Sequence, residues 1–334
     1  MFSSPIKLAA LSIIAINTSC AGEPSTDAEL KEFVDGMQNG VGAQEPGDEL
    51  GTGGTAAASG GAPFDTSSGG ASSGSASSGG SGSGGSTGVD GTGGGTSGNS
   101  CEGVRSFLSE SDFNQLFPNR NSAYTYEGML DAIEGEGDLV GFPLFAAVGD
   151  CDSKKRELAA FLANVARETG QLVYIEQIDK SFVYCDPTQS YGCPAGANSY
   201  FGRGPIQISW NYNYKSASEF LFGDDRLLQK PSLVAEDPAV AWSVGFWFWM
   251  IGGDGGDGSY SPHSVMTAGQ GLGATINIIN GYEECNGGTV DYASEAVSQR
   301  VCYYEKYTSS LNVSVGSGNL NCGTATSVSY CQGI

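Results

Sequence analysis

The chain has 334 residues, a formal net charge of −22, 52 glycines and nine cysteines. This acidity argues against binding nucleic acid through phosphate neutralisation, because that mode needs a basic surface that releases counterions. A neutral polymer is compatible with the charge, and so is the simpler explanation that the charge keeps an extracellular protein soluble.

Residues 1–21 are predicted to be a secretory signal peptide. A basic residue, Lys7, opens a short apolar run that ends at Ile16 and is followed by small residues, which is the signal-peptide pattern. The run is too short to span a bilayer. Cys20 could instead carry a lipid anchor, but Asn17 stands where an aliphatic residue is expected. We therefore expect a secreted, extracellular protein with no membrane partner.

Two polar segments follow the signal peptide. Residues 22–50 are acidic with one weak amphipathic patch, so we expect a disordered or marginally helical tail. Residues 51–100 are almost wholly Gly, Ser, Thr and Ala, and such a stretch cannot bury enough apolar surface to offset chain entropy. This segment is predicted to be a flexible linker, and residues 101–334 are predicted to be the folded domain.

The folded domain is predicted to be mainly α-helical, with short strands at most. Apolar residues recur at helical spacing in five segments, and the fourth is apolar all round, as in a buried helix. Asp152 or Ser153 can cap the third segment, and Gly170 is suited to end it. The five segments are residues 104–118, 125–135, 154–169, 239–251 and 297–311.

Eight cysteines follow Cys20, all between Cys101 and Cys331. An even number within one segment of a secreted chain predicts disulfides. Zinc is the competing explanation, but the chain has no pair of CxxC motifs and only one histidine, His263, which we interpret as structural. The glycine-rich loop 252–259 weakly resembles a calcium site but lacks a bidentate glutamate. We expect no metal.

Two glutamates near the end of the third segment are the candidate catalytic pair. Glu168 follows Val165 by three positions, so it shares the apolar stripe of the helix. A carboxyl group there is desolvated, which is expected to raise its pKa and to suit it to general acid catalysis. The alternative is an ordinary helix-end residue that turns into solvent. A chain reversal at Gly170 could bring Glu176 opposite Glu168, at the roughly 6.5–9.5 Å of inverting glycosidases.

The stretch YFGRGPIQISWNYNY, residues 200–214, is the most specific in the chain. After Gly204 and Pro205, polar residues at positions 207, 209, 211 and 213 alternate with apolar or aromatic ones. On an extended segment this alternation would point the polar side chains to one side. A row of neutral donors and acceptors beside aromatic rings suits sugar hydroxyls and N-acetyl groups. An exposed polar strand would look similar.

Together with ARETG and YIEQ before it, and AWSVGFWFWM, INIINGYEECNGG and NLNC after it, this stretch resembles the glycoside hydrolase family 19 chitinases, especially the compact, loop-poor forms. The resemblance covers most of residues 101–331. It implies a disulfide-bonded, lysozyme-like, two-lobed helical domain with a short β-hairpin. It also implies that a monomer hydrolyses β-1,4 links between N-acetylglucosamine units of chitin or chito-oligosaccharides, with inversion. No metal or organic cofactor is implied.

The resemblance assigns roles to residues at matching positions. Glu168 corresponds to the proton donor, Glu176 to the base that activates water, and Ser209 to the serine that holds this water. Glu284 and Arg300 correspond to a charged network that supports the second glutamate. The positions that match sugar subsites are Tyr200, Gln207, Tyr212, Asn213 and Asn280.

The resemblance also implies two disulfides, Cys185–Cys193 and Cys285–Cys322. The pairing of the remaining cysteines stays open, with three possible connectivities if all are oxidised. These cysteines are Cys101, Cys151, Cys302 and Cys331.

Two departures from the family pattern bear on activity. Arg167 replaces the usual histidine, and a guanidinium turned toward Glu168 would favour its charged form. Adjacent helical residues point about 100° apart, so we expect Arg167 to point elsewhere. Gln171 replaces a common glycine in the turn between the two glutamates. Two alternatives to an endochitinase stay open, a peptidoglycan-cleaving hydrolase with the same fold and a chitin-binding protein that has lost catalysis.

Overall fold

The computed structural model of the protein describes residues 101–324 and Thr326. The predicted signal peptide, acidic tail and linker concern residues 1–100 and lie outside the described residues. Ten α-helices are present in residues 101–324, which confirms the prediction of a mainly α-helical domain. They are α1 (Glu110–Leu116), α2 (Tyr126–Glu134), α3 (Cys151–Thr169), α4 (Asn211–Phe222), α5 (Arg226–Gln229), α6 (Leu233–Glu236), α7 (Pro238–Ile251), α8 (Pro262–Thr267), α9 (Leu272–Glu284) and α10 (Ala293–Ser310).

The first predicted helix begins later than its apolar spacing indicates. Ser109 caps α1 because its hydroxyl accepts a hydrogen bond from Asp112 N, while the Asp112 carboxylate accepts one from Ser109 N. This reciprocal pair is a capping box, which fixes a helix start. Upstream of it, Val104–Ser106 forms only a 3-10 turn.

Helix α3, which carries Glu168, is buried along its second half. The prediction of its cap is wrong, since Asp150, and not Asp152 or Ser153, precedes the first turn and accepts a hydrogen bond from Ser153 N at 2.8 Å. All residues from Glu157 to Thr169 are buried. Helix α10 packs along α3. The second half of α3 therefore has no solvent face, although the sequence predicts a single apolar stripe.

Helix α7 is buried, as its apolar sequence predicts. Asp237 caps it, and the residues from Val240 to Trp249 are all buried. Phe246 of α7 stacks on Phe161 of α3 with ring centroids 4.7 Å apart. Burying each such side chain contributes roughly 1.5–3 kcal/mol, so this contact is a main part of the core. Within the described residues, no helix combines the length and the apolar composition needed to cross a membrane.

In residues 101–324, β-structure is limited to two isolated antiparallel bridges, Glu176–Arg203 and Arg203–Ile208. The short β-hairpin that the resemblance implies is reduced to these contacts. The first bridge joins the segment after α3 to the loop before α4 and brings Glu176 next to the FGRGP motif, and the second lies within that loop.

The structure pairs Cys185 with Cys193 and Cys285 with Cys322, which are the pairs that the resemblance implies. It also pairs Cys101 with Cys151 and so decides one connectivity that the sequence leaves open. This bond ties the start of the domain to the start of α3. Cys302 is disulfide-bonded as well, and Cys331 lies outside the described residues.

Candidate active site

The turn after α3 separates the two candidate glutamates. Gly170 ends the helix in the left-handed conformation, with φ 58° and ψ 53°, which confirms the predicted helix end. Gln171 and Leu172 also have positive φ, 61° and 65°. Leu172 N donates to Thr169 Oγ1 at 2.7 Å and fixes the turn. Three successive left-handed residues reverse the chain, and residues 171–173 form a turn.

Glu168 is buried at the end of α3, with 1% of its surface exposed. This burial excludes the alternative in which the side chain turns into solvent. Its Oε1 accepts a hydrogen bond from Arg300 Nη2. Its Oε2 has no hydrogen-bond partner among the described residues. Glu168 therefore binds a cation through one oxygen and keeps the other available.

Arg300 is the centre of a buried polar network. Its Nε and Nη2 each donate to Glu284 at 2.8 Å, and its Nη1 donates to Asn164 Oδ1 at 3.0 Å. Glu284 and Arg300 are predicted to support Glu176. In the structure, Arg300 contacts Glu168 and Glu284 where α3, α9 and α10 meet. Burial would raise the pKa of Glu284, but the charge and hydrogen bonds of Arg300 hold it below its ordinary value.

Arg167 and Asn280 belong to the same network. Arg167 is buried, with 3% of its surface exposed, and its charge helps to lower the pKa of Glu284. Asn280 Nδ2 donates to Glu284 Oε1 at 2.9 Å. The backbone of Asn280, with φ −145° and ψ 37°, interrupts the helical geometry of α9. Both side chains thus act on Glu284 from within the protein.

Glu176 lies in a different environment, with 29% of its side chain exposed. Lys180 Nζ donates to its Oε2 at 2.7 Å, and Arg203 Nε donates to its Oε1 at 2.8 Å. Partial burial would raise the pKa of Glu176, but the hydrogen bonds and charges of these two cations outweigh it and lower the pKa. Glu176 is therefore held in the ionised form that a general base requires.

Arg203 is itself fixed by its own motif. Its Nη1 donates to Tyr214 Oη at 2.9 Å, and its guanidinium carbon lies 3.7 Å from the centroid of the Phe201 ring. Neither Arg203 nor Lys180 is predicted from the sequence to be a functional residue. Arg203 could have been found as the only cation of the FGRGP motif. Lys180 follows Glu176 by four positions, but this segment is not helical, so the spacing carried no signal.

The predicted extended row of polar side chains in the motif is wrong, because α4 begins at Asn211. Asn211 is fully buried, and its Nδ2 donates to Gly192 O at 2.9 Å, inside the loop closed by a disulfide. Asn213 donates to Ser209 O at 2.9 Å and accepts from Asp254 N at 3.0 Å. The two amides therefore hold neighbouring loops in place instead of lining one side of a strand.

Gln207 and Ser209 lie in the tight loop before α4. Gln207 has φ 50°, and its Nε2 donates to Gly204 O at 2.9 Å. Ser209 Oγ donates to Gln207 O at 3.2 Å. The Oε1 of Gln207 is buried and has no hydrogen-bond partner in the described part of the chain. An unsatisfied buried acceptor costs free energy, so this atom is a candidate acceptor for a ligand N–H or O–H.

The two candidate tyrosines, Tyr200 and Tyr212, differ in their exposure to solvent. Tyr200 is fully buried, and its hydroxyl donates to Leu228 O at 2.9 Å and accepts from Ala195 N at 3.0 Å. The prediction that Tyr200 contacts a sugar is wrong, because its ring lies in the core and its polar atom is occupied. Tyr212 is partly exposed and stacks on Trp210 with ring centroids 5.7 Å apart.

Trp210 is a further candidate, which the sequence marks only as one aromatic residue of the motif. Its backbone is in the left-handed region, with φ 77°, which is uncommon for a bulky residue. Its Nε1 is buried and has no hydrogen-bond partner among residues 101–324. Strained backbone and unsatisfied donors concentrate at ligand sites.

Comparisons with known proteins agree on one family. The family model for chitinase class I, glycoside hydrolase family 19, matches residues 107–322. An acidic endochitinase from Dioscorea japonica is 38% identical over 202 residues, which cover 60% of this chain and 72% of that protein. Endochitinase B from Zea mays is 39% identical over 226 residues, which cover 66% of this chain and 72% of that protein.

Solved structures give the same result. Chitinase C from Streptomyces griseus HUT6037 is 46% identical, with a TM-score of 0.57 over 65% of this chain and 80% of that chain. A class IV chitinase from Zea mays is 38% identical, with a TM-score of 0.53 over 65% of this chain and 98% of that chain.

Proposed function

Because the chain belongs to the chitinase class I family, glycoside hydrolase family 19, we propose that it is a secreted endochitinase that hydrolyses chitin with inversion. It is a glycoside hydrolase with the lysozyme-like fold of this family. The observation that carries the proposed mechanism is the contrast between its glutamates. Glu168 is buried with one oxygen unpaired among the described residues, whereas Glu176 is partly exposed and held ionised by two cations.

Glu176 acts as the general base. Its ionised carboxylate accepts a proton from a water molecule, and the hydroxyl of Ser209 binds the same water. The water attacks the anomeric carbon from the face opposite the leaving oxygen, which inverts the configuration. This geometry requires the carboxyl groups of Glu176 and Glu168 to face each other across roughly 6.5–9.5 Å in the substrate complex.

Glu168 acts as the general acid. Arg300 donates to Glu284 through both Nε and Nη2. Glu168 accepts a hydrogen bond from Arg300 through Oε1 alone. A proton on Oε2 leaves this hydrogen bond intact and is available to the glycosidic oxygen. Donating that proton to the leaving sugar completes bond cleavage, a role that typically contributes about 10²–10⁴-fold to the rate.

The loop before α4 supports recognition of N-acetylglucosamine. The buried, unsatisfied Oε1 of Gln207 fits a sugar hydroxyl or the N–H of an acetamido group. Tyr212 and Trp210 offer stacked aromatic rings beside it in the chain. Secretion is supported by the signal-peptide pattern of residues 1–21 and by disulfides, which persist in oxidising compartments.

The mechanism is tested by the substitution Glu168→Gln. Glutamine keeps the hydrogen bond from Arg300 but cannot donate a carboxyl proton. We expect hydrolysis of chitin hexamer to fall by about 10²–10⁴-fold, while binding of the hexamer, measured by calorimetry, changes little. Glu219→Gln, at an exposed glutamate of α4, is the matched control and should keep full activity.

Two results would count against the proposal. If Glu168→Gln hydrolyses the hexamer at the rate of the unmodified protein, the assignment of the acid is wrong. If the unmodified protein binds the hexamer but releases no product from it, the chain is a chitin-binding protein that has lost catalysis.

A further inference from the structure

A concave surface lies between the loops on either side of α8, the helix α9 and the segment 317–323. It is a groove open to solvent with a volume of about 650 Å³, which is within the range of small-molecule sites. None of the residues that line it belongs to the catalytic machinery described above. We call it the amide pocket.

One wall of the amide pocket is built by backbone packed directly on backbone. Gly273 N donates to Asn319 O at 2.8 Å, and Asn319 N donates to Gln270 O at 3.0 Å. A Cβ atom at Gly273 would lie 2.0 Å from Asn321 O, so only glycine permits this approach. The two segments are held together at a distance that side chains would prevent.

A disulfide fixes another part of the amide pocket, beside Asn286 and Cys322. The disulfide Cys285–Cys322 joins the end of α9 to the C-terminal segment. Asn286 N donates to Cys322 O at 3.0 Å beside it. The pocket is therefore formed before a ligand arrives, which reduces the entropy that binding would otherwise lose.

The side chains of the amide pocket are neutral and polar. In a protein of net charge −22, no charged residue among those that the structure describes lines it. Only the Asn321 carboxamide has a hydrogen bond within the described residues, from Gly323 N at 3.2 Å. Tyr260 also lines the pocket, and 60% of its surface is exposed. The five exposed carboxamides are those of Gln270, Asn277, Asn286, Asn319 and Asn321.

This chemistry selects one class of ligand. Uncharged carboxamides can both donate to and accept from hydroxyl and acetamido groups, but they offer no counterion to an anion or a cation. An exposed aromatic ring provides an apolar face for a sugar ring. We propose that the amide pocket is a second, non-catalytic binding site for a segment of N-acetylglucosamine polymer.

The inference rests on the proposed function, since it presumes that chitin is the substrate. A second contact with the same polymer would raise the local concentration of chain at the active site. The gain applies to long or insoluble chitin and not to oligomers too short to reach both sites.

The test is the double substitution Tyr260→Ala with Asn277→Ala, which removes the ring and one carboxamide from exposed positions. We expect affinity for insoluble chitin to fall about threefold to tenfold, with hydrolysis of chitin tetramer unchanged. Tyr282→Ala is the matched control, because Tyr282 is 79% exposed and does not line the pocket. The unfolding midpoints of all three proteins verify that each is folded.

The arms of the experiment separate the two proposals. Equal binding of insoluble chitin by the double variant and by Tyr282→Ala overturns the second site. Failure of the unmodified protein to hydrolyse the tetramer or hexamer overturns the proposed function instead. Adding Tyr260→Ala and Asn277→Ala to the Glu168→Gln variant should lower its affinity for chitin hexamer more than its affinity for cellohexaose, which lacks acetamido groups. Equal losses of affinity for the two oligomers would overturn the assignment to N-acetylglucosamine.

Discussion

The two glutamates are positioned by regions of the molecule that differ in construction. Glu168 ends a 19-residue helix whose second half is buried throughout, and its partner Arg300 is another fully buried helical residue. Glu176 lies in an irregular segment. Lys180 of the same segment and Arg203, which an isolated bridge joins to Glu176, both donate to its carboxylate. The position of Glu168 is therefore tied to the stability of the core, whereas the charge on Glu176 depends on a few local contacts that can change without unfolding the protein.

The comparison predicts its largest effect at Arg300. Arg300→Ala leaves the buried carboxylates of Glu168 and Glu284 without their shared cation. Removing one partner of a buried ion pair typically costs about 3–5 kcal/mol, so we expect the free energy of unfolding in denaturant to fall by that amount. Activity should also be lost, because Glu168 Oε1 loses the donor that orients it.

The matched control for this prediction is Arg226→Ala. Arg226 pairs with Asp138 and Asp224 on the surface, where ion pairs contribute little to stability. We expect a small change in unfolding and no change in hydrolysis. Similar losses of stability in the two variants would show that the Arg300 network is not a structural part of the core.

An intermediate effect is expected at Gly170, which joins the two regions. Alanine in its left-handed conformation should cost about 1 kcal/mol, and its Cβ would lie 3.1 Å from the Tyr174 ring. Gly170→Ala should therefore lower both the unfolding midpoint and the hydrolysis rate, because the turn that carries the chain toward Glu176 must shift.

Gly223→Ala separates these two causes. Gly223 also ends a helix with positive φ, 72°, but nothing lies within 4 Å of an added Cβ atom. This variant should lose stability because alanine is strained at positive φ, but it should hydrolyse chitin at the normal rate. Equal hydrolysis by the Gly170 and Gly223 variants would contradict a role of the Gly170 turn in placing the base.

The smallest effect is expected at Lys180 and concerns pH. The pKa of Glu176 is lowered because hydrogen bonds and charges from Lys180 and Arg203 outweigh partial burial. Lys180→Ala removes one of these cations, so the pKa should rise and the base should become protonated at a higher pH. We expect the acid limb of the pH–rate profile to move to higher pH, with little change near neutrality.

Lys230→Ala is the control for the pH prediction, because Lys230 pairs with Glu236 at the surface. Its acid limb should coincide with that of the unmodified protein. A profile for Lys180→Ala that also coincides with it would mean that Lys180 does not tune the base.

Local sequence patterns predict the parts of the site that depend on neighbours in the chain. The end of α3 at Gly170 and the buried helix α7 follow from left-handed capping and from continuous apolar composition. The motif 200–214 locates the loop that carries Arg203, although its alternating amides suggest a strand where α4 begins. There the side chain of Asn211 is used to anchor another loop, which alternation cannot reveal.

Local sequence patterns cannot identify contacts between residues that lie far apart in the chain. Arg300 contacts Glu168 across 132 positions, and the contact exists because α3, α9 and α10 meet at one point. The resemblance names Arg300 and Glu284 as a network that supports Glu176, whereas the contact that the structure shows is between Arg300 and Glu168. Arg203 reaches Glu176 across 27 positions through an isolated bridge, and no periodicity in the chain marks that pairing.

The most direct test of the paired glutamates is the anomeric form of the first product released from chitin hexamer, followed by time-resolved NMR. An acid at Glu168 and a base at Glu176, with water between them, predict that the new reducing end appears first as the α anomer and then mutarotates. Initial release of the β anomer would contradict this arrangement.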